Sequence, residues 1–308
     1  MIYNMMRLEY LLFRLVYSFI RVVPFRLLYP LSDTFSYILQ HIIRYRKSTV
    51  VKNIRNSFPE KSGKEIKRIV HSYYLNLCDV SLESIKGFTL SLEQLNKRYK
   101  CLNPEVANGY FDKSLSVIFA LSHYANWEWG TQVANSIFLH NPISFYKPLS
   151  NKYIDRFIIS KRETKGMVMC SIYNSKFIFR SEERIPRAYF LVSDQNPSNK
   201  NNAYWVNFLN QDTACIHGLE SYGRLFNIPI IYADVQRIRR GHYTVTLEAL
   251  CSNPRNTKKG EITNQYMNKL EGIIVKKPED WLWSHKRWKH VKLVDNFADF
   301  RASCIGLI

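Results

Sequence analysis

Residues 115–121 form a short, partly β-branched apolar run of strand length, which passes through a polar turn into a segment of helical character at 127–139. Asn126 stands where an N-cap belongs. This strand, turn and helix succession constrains the chain most, because the same alternation continues downstream. Strand-like stretches are expected at 142–146, 167–172, 188–193 and 204–209. Between them lie a helix from 152 with Ile154, Phe157 and Ile158 inward, stopping near Gly166, and an amphipathic piece at 177–184. A helix follows at 218–226, then a hairpin of 228–238 with 243–250 turning at 239–241, and a helix at 262–275. Such a chain predicts an α/β fold with a mixed, mostly parallel central sheet covered by helices. His123 then falls at the carboxyl end of a strand, where open α/β sheets bind ligands.

Upstream, residues 46–114 read as a helical lead-in. Ser62 is placed to cap a helix beginning near Lys64, with Glu65 at the third position of a capping box. Ile66, Ile69, Val70, Tyr73, Tyr74 and Leu77 then repeat at the three-and-four spacing of a buried face. Residues 1–45 are apolar and aromatic but carry Arg7, Arg14 and Arg21 at intervals of seven, which with Ser18 make one polar stripe on a helix. A spanning helix tolerates central arginines poorly, at about 2.5–3.5 kcal/mol each. The expectation is a helix lying in the cytoplasmic leaflet with its arginines at head-group level, the alternatives being a tilted span with snorkelling arginines and an ordinary amphipathic helix packed on the domain. No Gly/Ser- or Pro-rich linker divides the chain. The organisation expected is therefore a membrane-contacting segment at 1–45 and one domain at 46–308, with its α/β core at 115–290.

The chain carries 44 Lys+Arg against 25 Asp+Glu, a net charge of +19. Such a field draws anionic partners: nucleic acid, anionic lipid head groups, or an acidic carrier protein. Cys78, Cys101, Cys170, Cys215, Cys251 and Cys304 lie far apart without CxxC spacing, and read as thiols of a reducing compartment. Zinc-ligand spacing, a phosphate-binding glycine loop and a Gly-x-Ser-x-Gly elbow are all missing from the sequence, so no metal or cofactor is expected.

Chemistry concentrates at 122–130, Ser-His-Tyr-Ala-Asn-Trp-Glu-Trp-Gly. On one continuous helix His123 and Glu128 would point about 140° apart. They meet only if the backbone turns between them, leaving Glu128 in the first helical turn where the dipole favours a carboxylate. A neutral imidazole could then take a hydroxyl proton through one nitrogen while the carboxylate holds the other N–H. Trp127 and Trp129 read as packing for this loop.

The string resembles the His-x4-Asp/Glu box of the glycerolipid acyltransferase superfamily, and in particular the branch of late lipid A acyltransferases. Residues 146–152 leading to Arg162, the Leu-Val-Ser-Asp-Gln-Asn-Pro run at 191–197, and Trp-Leu-Trp-Ser-His-Lys-Arg-Trp at 281–288 are similar to that family's later blocks, in order. Glu at 128, where glycerol-phosphate acyltransferases carry Asp, argues for the lipid A branch. The resemblance implies transfer of a fatty acyl chain from acyl carrier protein or acyl-CoA to a hydroxyl of a membrane-embedded glycolipid or phospholipid acceptor. It implies His123 as general base oriented by Glu128. It also implies Arg162 binding phosphate or the developing oxyanion, and Asp194 with Gln195 in the substrate-binding polar wall. An anionic surface on the cytoplasmic face of the inner membrane is the implied location.

The 281–290 stretch interleaves aromatic and basic residues. It reads as core tryptophans with a solvated basic face, an interfacial belt, or a nucleic-acid stacking platform, and nothing selects the last. The competing readings are an acyltransferase acting on a lysophospholipid, aminolipid or pigment head group, and a non-enzymatic basic module.

Overall fold

The computed structural model describes residues 2–181, 184–198 and 203–292. Its first third is helical: α1 (Ile2–Val22), α2 (Phe25–Tyr37), a π-helical turn (Ile38–Ile42), α3 (Lys47–Ser57), α4 (Gly63–Gly87) and α5 (Leu92–Asn96). Strand β1 (Tyr99–Cys101) and α6 (Glu105–Phe111) lead into β2 (Val117–Leu121), α7 (Trp127–Ile137), β3 (Asn141–Tyr146), α8 (Lys152–Glu163) and β4 (Val168–Ser171). Then come α9 (Ser175–Arg180), β5 (Arg187–Val192), β6 (Tyr204–Phe208), β7 (Gln211–Cys215), α10 (Gly218–Phe226), β8 (Ile230–Arg239), β9 (His242–Cys251) and α11 (Glu261–Lys276).

Seven strands form the main sheet in the order β1-β9-β8-β2-β5-β3-β4. Every pairing is parallel except the β8–β9 hairpin. The predicted mixed, mostly parallel sheet covered by helices is therefore the fold. β2 lies at its centre and is wholly buried, which is why it reads as an unbroken apolar run rather than an alternating one. Three elements depart from expectation: β6, its partner β7, and β1. The strand at Tyr204–Phe208 leaves the main sheet and pairs with β7 in a separate antiparallel ribbon. The short β1, within the stretch read as helical, lines up beside β9.

Local signals act as their chemistry requires. The Ser62 side chain accepts from the Glu65 amide, while the Glu65 carboxylate accepts from the Ser62 amide, closing the capping box of α4. Helix α1 is held at its end by Lys86, whose ammonium donates to the carbonyls of Ile20 and Arg21, the terminal acceptors a helix leaves unpaired. Its inner face, Phe13 and Tyr17, packs edge-on against Phe157 of α8. Its outer face stays bare: Leu8, Leu12, Leu15 and Phe19, one helical stripe, are each more than half exposed. Among the described residues no helix is long and apolar enough to cross a membrane. Cys78, Cys101, Cys170, Cys215 and Cys251 are free thiols; Cys304 lies outside the described residues.

Candidate active site

β2 and β5 run parallel in a register that sets Leu121 beside Val192. Two residues further along each chain come His123 and Asp194. The register therefore delivers an imidazole and a carboxylate to the same point past the carboxyl ends of adjacent strands. His123 Nδ1 and Asp194 Oδ1 are 2.7 Å apart, and the His123 backbone N–H donates to Asp194 Oδ2 at 3.0 Å. The Trp281 indole N–H donates to that same oxygen at 2.8 Å. The Asp194 side chain is 2 % exposed and that of His123 20 %. Burial opposes ionisation of Asp194, yet the charge of a protonated His123 and the three N–H donors hold its carboxyl below the ordinary value. All three partners are donors, so Nδ1 carries the proton and Nε2 is left as the acceptor. The Gln195 amide nitrogen faces Nε2 at 3.2 Å.

The carboxylate hydrogen-bonded to His123 is thus Asp194, not Glu128 as the spacing of the box suggested. The backbone does turn between His123 and Glu128, with Ala125 in left-handed conformation (φ 50°) at a cost of about 1–2 kcal/mol. But that turn aims the first turn of α7 at α8. Both oxygens of Glu128 accept from Arg162, from Nε at 2.7 Å and Nη2 at 2.6 Å, a bidentate pair. Burial alone would lower the guanidinium pKa, and the Glu128 charge raises it instead. The structure therefore brings the five predicted residues together as two coupled pairs, His123–Asp194 with Gln195, and Glu128–Arg162.

The strained turn is pinned from three sides. Asn126 caps α7 by accepting from the Trp129 amide at 3.0 Å, and its side-chain amide donates to Glu83 at 3.0 Å. The Glu83 carboxylate is fully buried and also accepts from Tyr29, Tyr243 and the Gly241 amide. Burial raises its pKa even so. The Ala125 amide donates to the Asp280 carbonyl and the Leu282 amide donates to the His123 carbonyl, so the Trp281 segment straps the loop as a short antiparallel bridge. Trp127 packs edge-on to the His123 ring at 5.0 Å, and Trp129 is buried with its N–H on the Glu83 carbonyl, so both serve packing as expected. His285 accepts from the Asn196 amide at 3.3 Å, which steadies the residue after Gln195. Burial pushes the His285 imidazole down to about 4.

Glu83, Trp281 and His285 were not identified as site residues from sequence. Trp281 and His285 lie in a run that stood out, of which the core reading is right: Trp281 and Trp283 are buried. The basic face is only partly solvated, since Arg287 is buried and donates to the Ala214 carbonyl. For Glu83 the only available signal is an acid four residues after Asp79 on a helix with an apolar face.

Beside the loop, between α9, α10 and the end of β5, lies a cavity of about 690 Å³. Phe145, Leu191, Tyr222 and Phe226 line it, and Ser193 and Asn196, which flank Asp194 and Gln195, form one wall. Behind the lining Tyr222 the aromatic rings are layered, with Phe179 stacked on Tyr222 at 4.1 Å and on Tyr189 at 4.2 Å. No group of metal-ligating side chains occurs among the described residues.

A search among curated proteins returns no match. A family model described as bacterial lipid A biosynthesis acyltransferase matches residues 5–290. The match covers nearly the whole chain, including both coupled pairs and the strap at Trp281, and the chain accordingly belongs to the bacterial lipid A biosynthesis acyltransferase family and is an acyltransferase.

Proposed function

We propose that this acyltransferase moves a fatty acyl chain from a thioester, borne by acyl carrier protein or coenzyme A, onto a hydroxyl of a lipid A precursor. The observation that carries the reading is His123. One ring nitrogen is held by a buried carboxylate and the other is left as an acceptor, beside an apolar cavity large enough for a ligand. In this reading the acceptor hydroxyl displaces the Gln195 amide from His123 Nε2 and gives up its proton there. Its oxygen attacks the thioester carbonyl, the C–S bond breaks, and the departing thiolate recovers the proton from the imidazolium. Asp194 keeps the correct tautomer and stabilises that imidazolium without taking its proton.

Arg162, fixed by Glu128 through Nε and Nη2, keeps Nη1 for the developing oxyanion or for a phosphate of the acceptor. The cavity between α9 and α10 takes the acyl chain. The bare stripe of α1 lies in the membrane interface on the cytoplasmic face of the inner membrane, so residues 1–45 bring the domain to its lipid acceptor. The net charge of +19 favours an acidic or phosphorylated partner.

The test is His123→Ala in membranes from cells lacking the native gene, with lipid extracts read by mass spectrometry. Loss of one acyl chain from lipid A, restored by wild type and not by the variant, is the expected result. Full acylation by the variant would falsify the assignment. A change confined to phospholipids, aminolipids or pigments would move the acceptor to another lipid.

A further inference from the structure

Residues 44–68 hold nine basic residues against Glu60 and Glu65, so 25 residues supply +7 of the net +19. The two acids are turned to other partners. Glu65 is folded back on the Ser62 amide and hydroxyl, and Glu60 pairs with Lys61. Between α3 and α4 this stretch encloses a groove of about 550 Å³, closed at one end by Gln40 and His41 of the π-helical turn. Its floor is apolar, made by Val51, Ile66 and Val70. Its rim carries Lys47, Arg55 and Lys67, and none of the lining residues is a carboxylate. Lys47, Val51 and Arg55 recur every four residues, so the rim cations of α3 stand on one face over about 12 Å of helix. Asn53, on the opposite face of α3, donates to the carbonyls of Trp283 and His285, so the groove is separated from the active site by the thickness of one helix.

The end of the groove at His41 runs into large apolar side chains left in solvent. Tyr37, Ile42 and Ile43 are each more than 60 % exposed. They are followed at once by Arg44 and Arg46, both held in left-handed backbone (φ 55° and 48°) at about 1–2 kcal/mol each. An acidic protein would be met by the cations alone. Bare aliphatic side chains beside a basic rim match an anionic bilayer, where apolar groups enter the head-group boundary and cations stay with the phosphates.

We infer that the α3–α4 groove is a second membrane contact that binds the phosphate-bearing head group of an anionic phospholipid, with Ile42 and Ile43 inserted beside it. The contact is separate from the acyl-transfer site, and its deciding readout is vesicle binding without turnover, so its failure leaves the acyltransferase reading untouched.

The experiment is sedimentation of the full chain with phosphatidylglycerol or phosphatidylcholine vesicles, comparing wild type with Lys47→Gln/Arg55→Gln/Lys67→Gln and with Leu12→Ser/Leu15→Ser. Three cations at an anionic surface are worth on the order of 100-fold in partitioning. The triple variant should therefore bind phosphatidylglycerol about that much more weakly, with phosphatidylcholine binding unchanged. The α1 variant should lose binding to both. Unchanged phosphatidylglycerol binding by the triple variant overturns the proposal. Release of wild type from the vesicles by millimolar inorganic phosphate at constant ionic strength would make the groove a free-phosphate site instead. Normal vesicle binding by the triple variant with a raised KM for a protein-borne acyl donor alone would assign it to an acidic protein.

Discussion

Replacing Asp194 by Asn separates the two carboxylates of the site. The side chain faces three N–H groups: His123 Nδ1 on one oxygen, and the His123 amide with the Trp281 indole on the other. An Asn must present its NH2 to one of these sets. Turned toward the backbone and indole donors it strands two buried N–H groups, at about 1–3 kcal/mol each. Turned toward Nδ1 it strands none, because imidazole answers by moving its proton to Nε2. The amide is thus driven by several kcal/mol to impose the tautomer whose Nε2 cannot accept a proton. The expected loss is about 10⁴-fold in kcat, the scale seen when a general-base histidine is held in the wrong tautomer, with KM nearly unchanged. Initial rates with a lipid A precursor measure kcat and KM, and ¹⁵N shifts of His123 report the tautomer: Nδ1–H in wild type, Nε2–H in the variant. A variant keeping more than a tenth of wild-type kcat, or a tautomer switch produced by Glu128→Gln instead, would refute the assignment of Asp194 as the orienting group.

Three further outcomes follow from the surroundings. Glu128→Ala leaves the Arg162 guanidinium, 21 % exposed, without its carboxylate, and should cost about 2 kcal/mol of stability, the exposure trimming the figure for a fully buried pair. A lowered Tm checks it. In Gly87→Ala the new Cβ would lie 2.5 Å from Trp129 Nε1, so the indole must leave the Glu83 carbonyl. Stability should fall by about 1–3 kcal/mol and kcat should fall with it, whereas an unaltered melting curve would show that α7 tolerates the shift. His285 is held neutral by burial, down to about 4, while the unfolded chain protonates it near 6.5. Its contribution is therefore whole above about pH 6.5 and is lost as pH falls toward about 4, on the order of 2 kcal/mol. Denaturant midpoints of wild type and His285→Asn should converge over that window, and a constant gap would contradict the coupling.

Much of this architecture is legible in local chemistry. The capping box at Ser62, the Asn126 cap and the hairpin at 239–241 are decided by residues within a few positions of one another, and each forms as read. β1 and β7 are not legible because neither has a local pattern. Residues 99–101 are extended because β9 offers an edge, and 211–215 carry Gln, Asp and Thr that the ribbon tolerates only through pairing with β6. His123, Glu128, Arg162, Asp194 and Gln195 all stand out in the sequence, but their pairing does not. Glu83 is not legible because its four donors come from α2, the 126 loop and the β8–β9 hairpin, a convergence that exists only once the chain is folded.

The mispairing has a single physical source. A five-residue interval invites a local explanation, in which a histidine and a glutamate meet across a turn. Strand register is a longer-range constraint and it wins here. Leu121 beside Val192 commits His123 to Asp194, because two parallel chains advancing equally cannot separate within two residues. Once the imidazole is taken, Glu128 is left in the first turn of a helix whose neighbour, α8, presents a half-buried guanidinium, and that charge needs a carboxylate more than the imidazole does. The interval from His123 to Glu128 is then the length of chain required to pass from the end of a strand to the first turn of the covering helix. What it encodes is the spacing of two pairs, an imidazole with its carboxylate and a guanidinium with its carboxylate, rather than the contact between its own two ends.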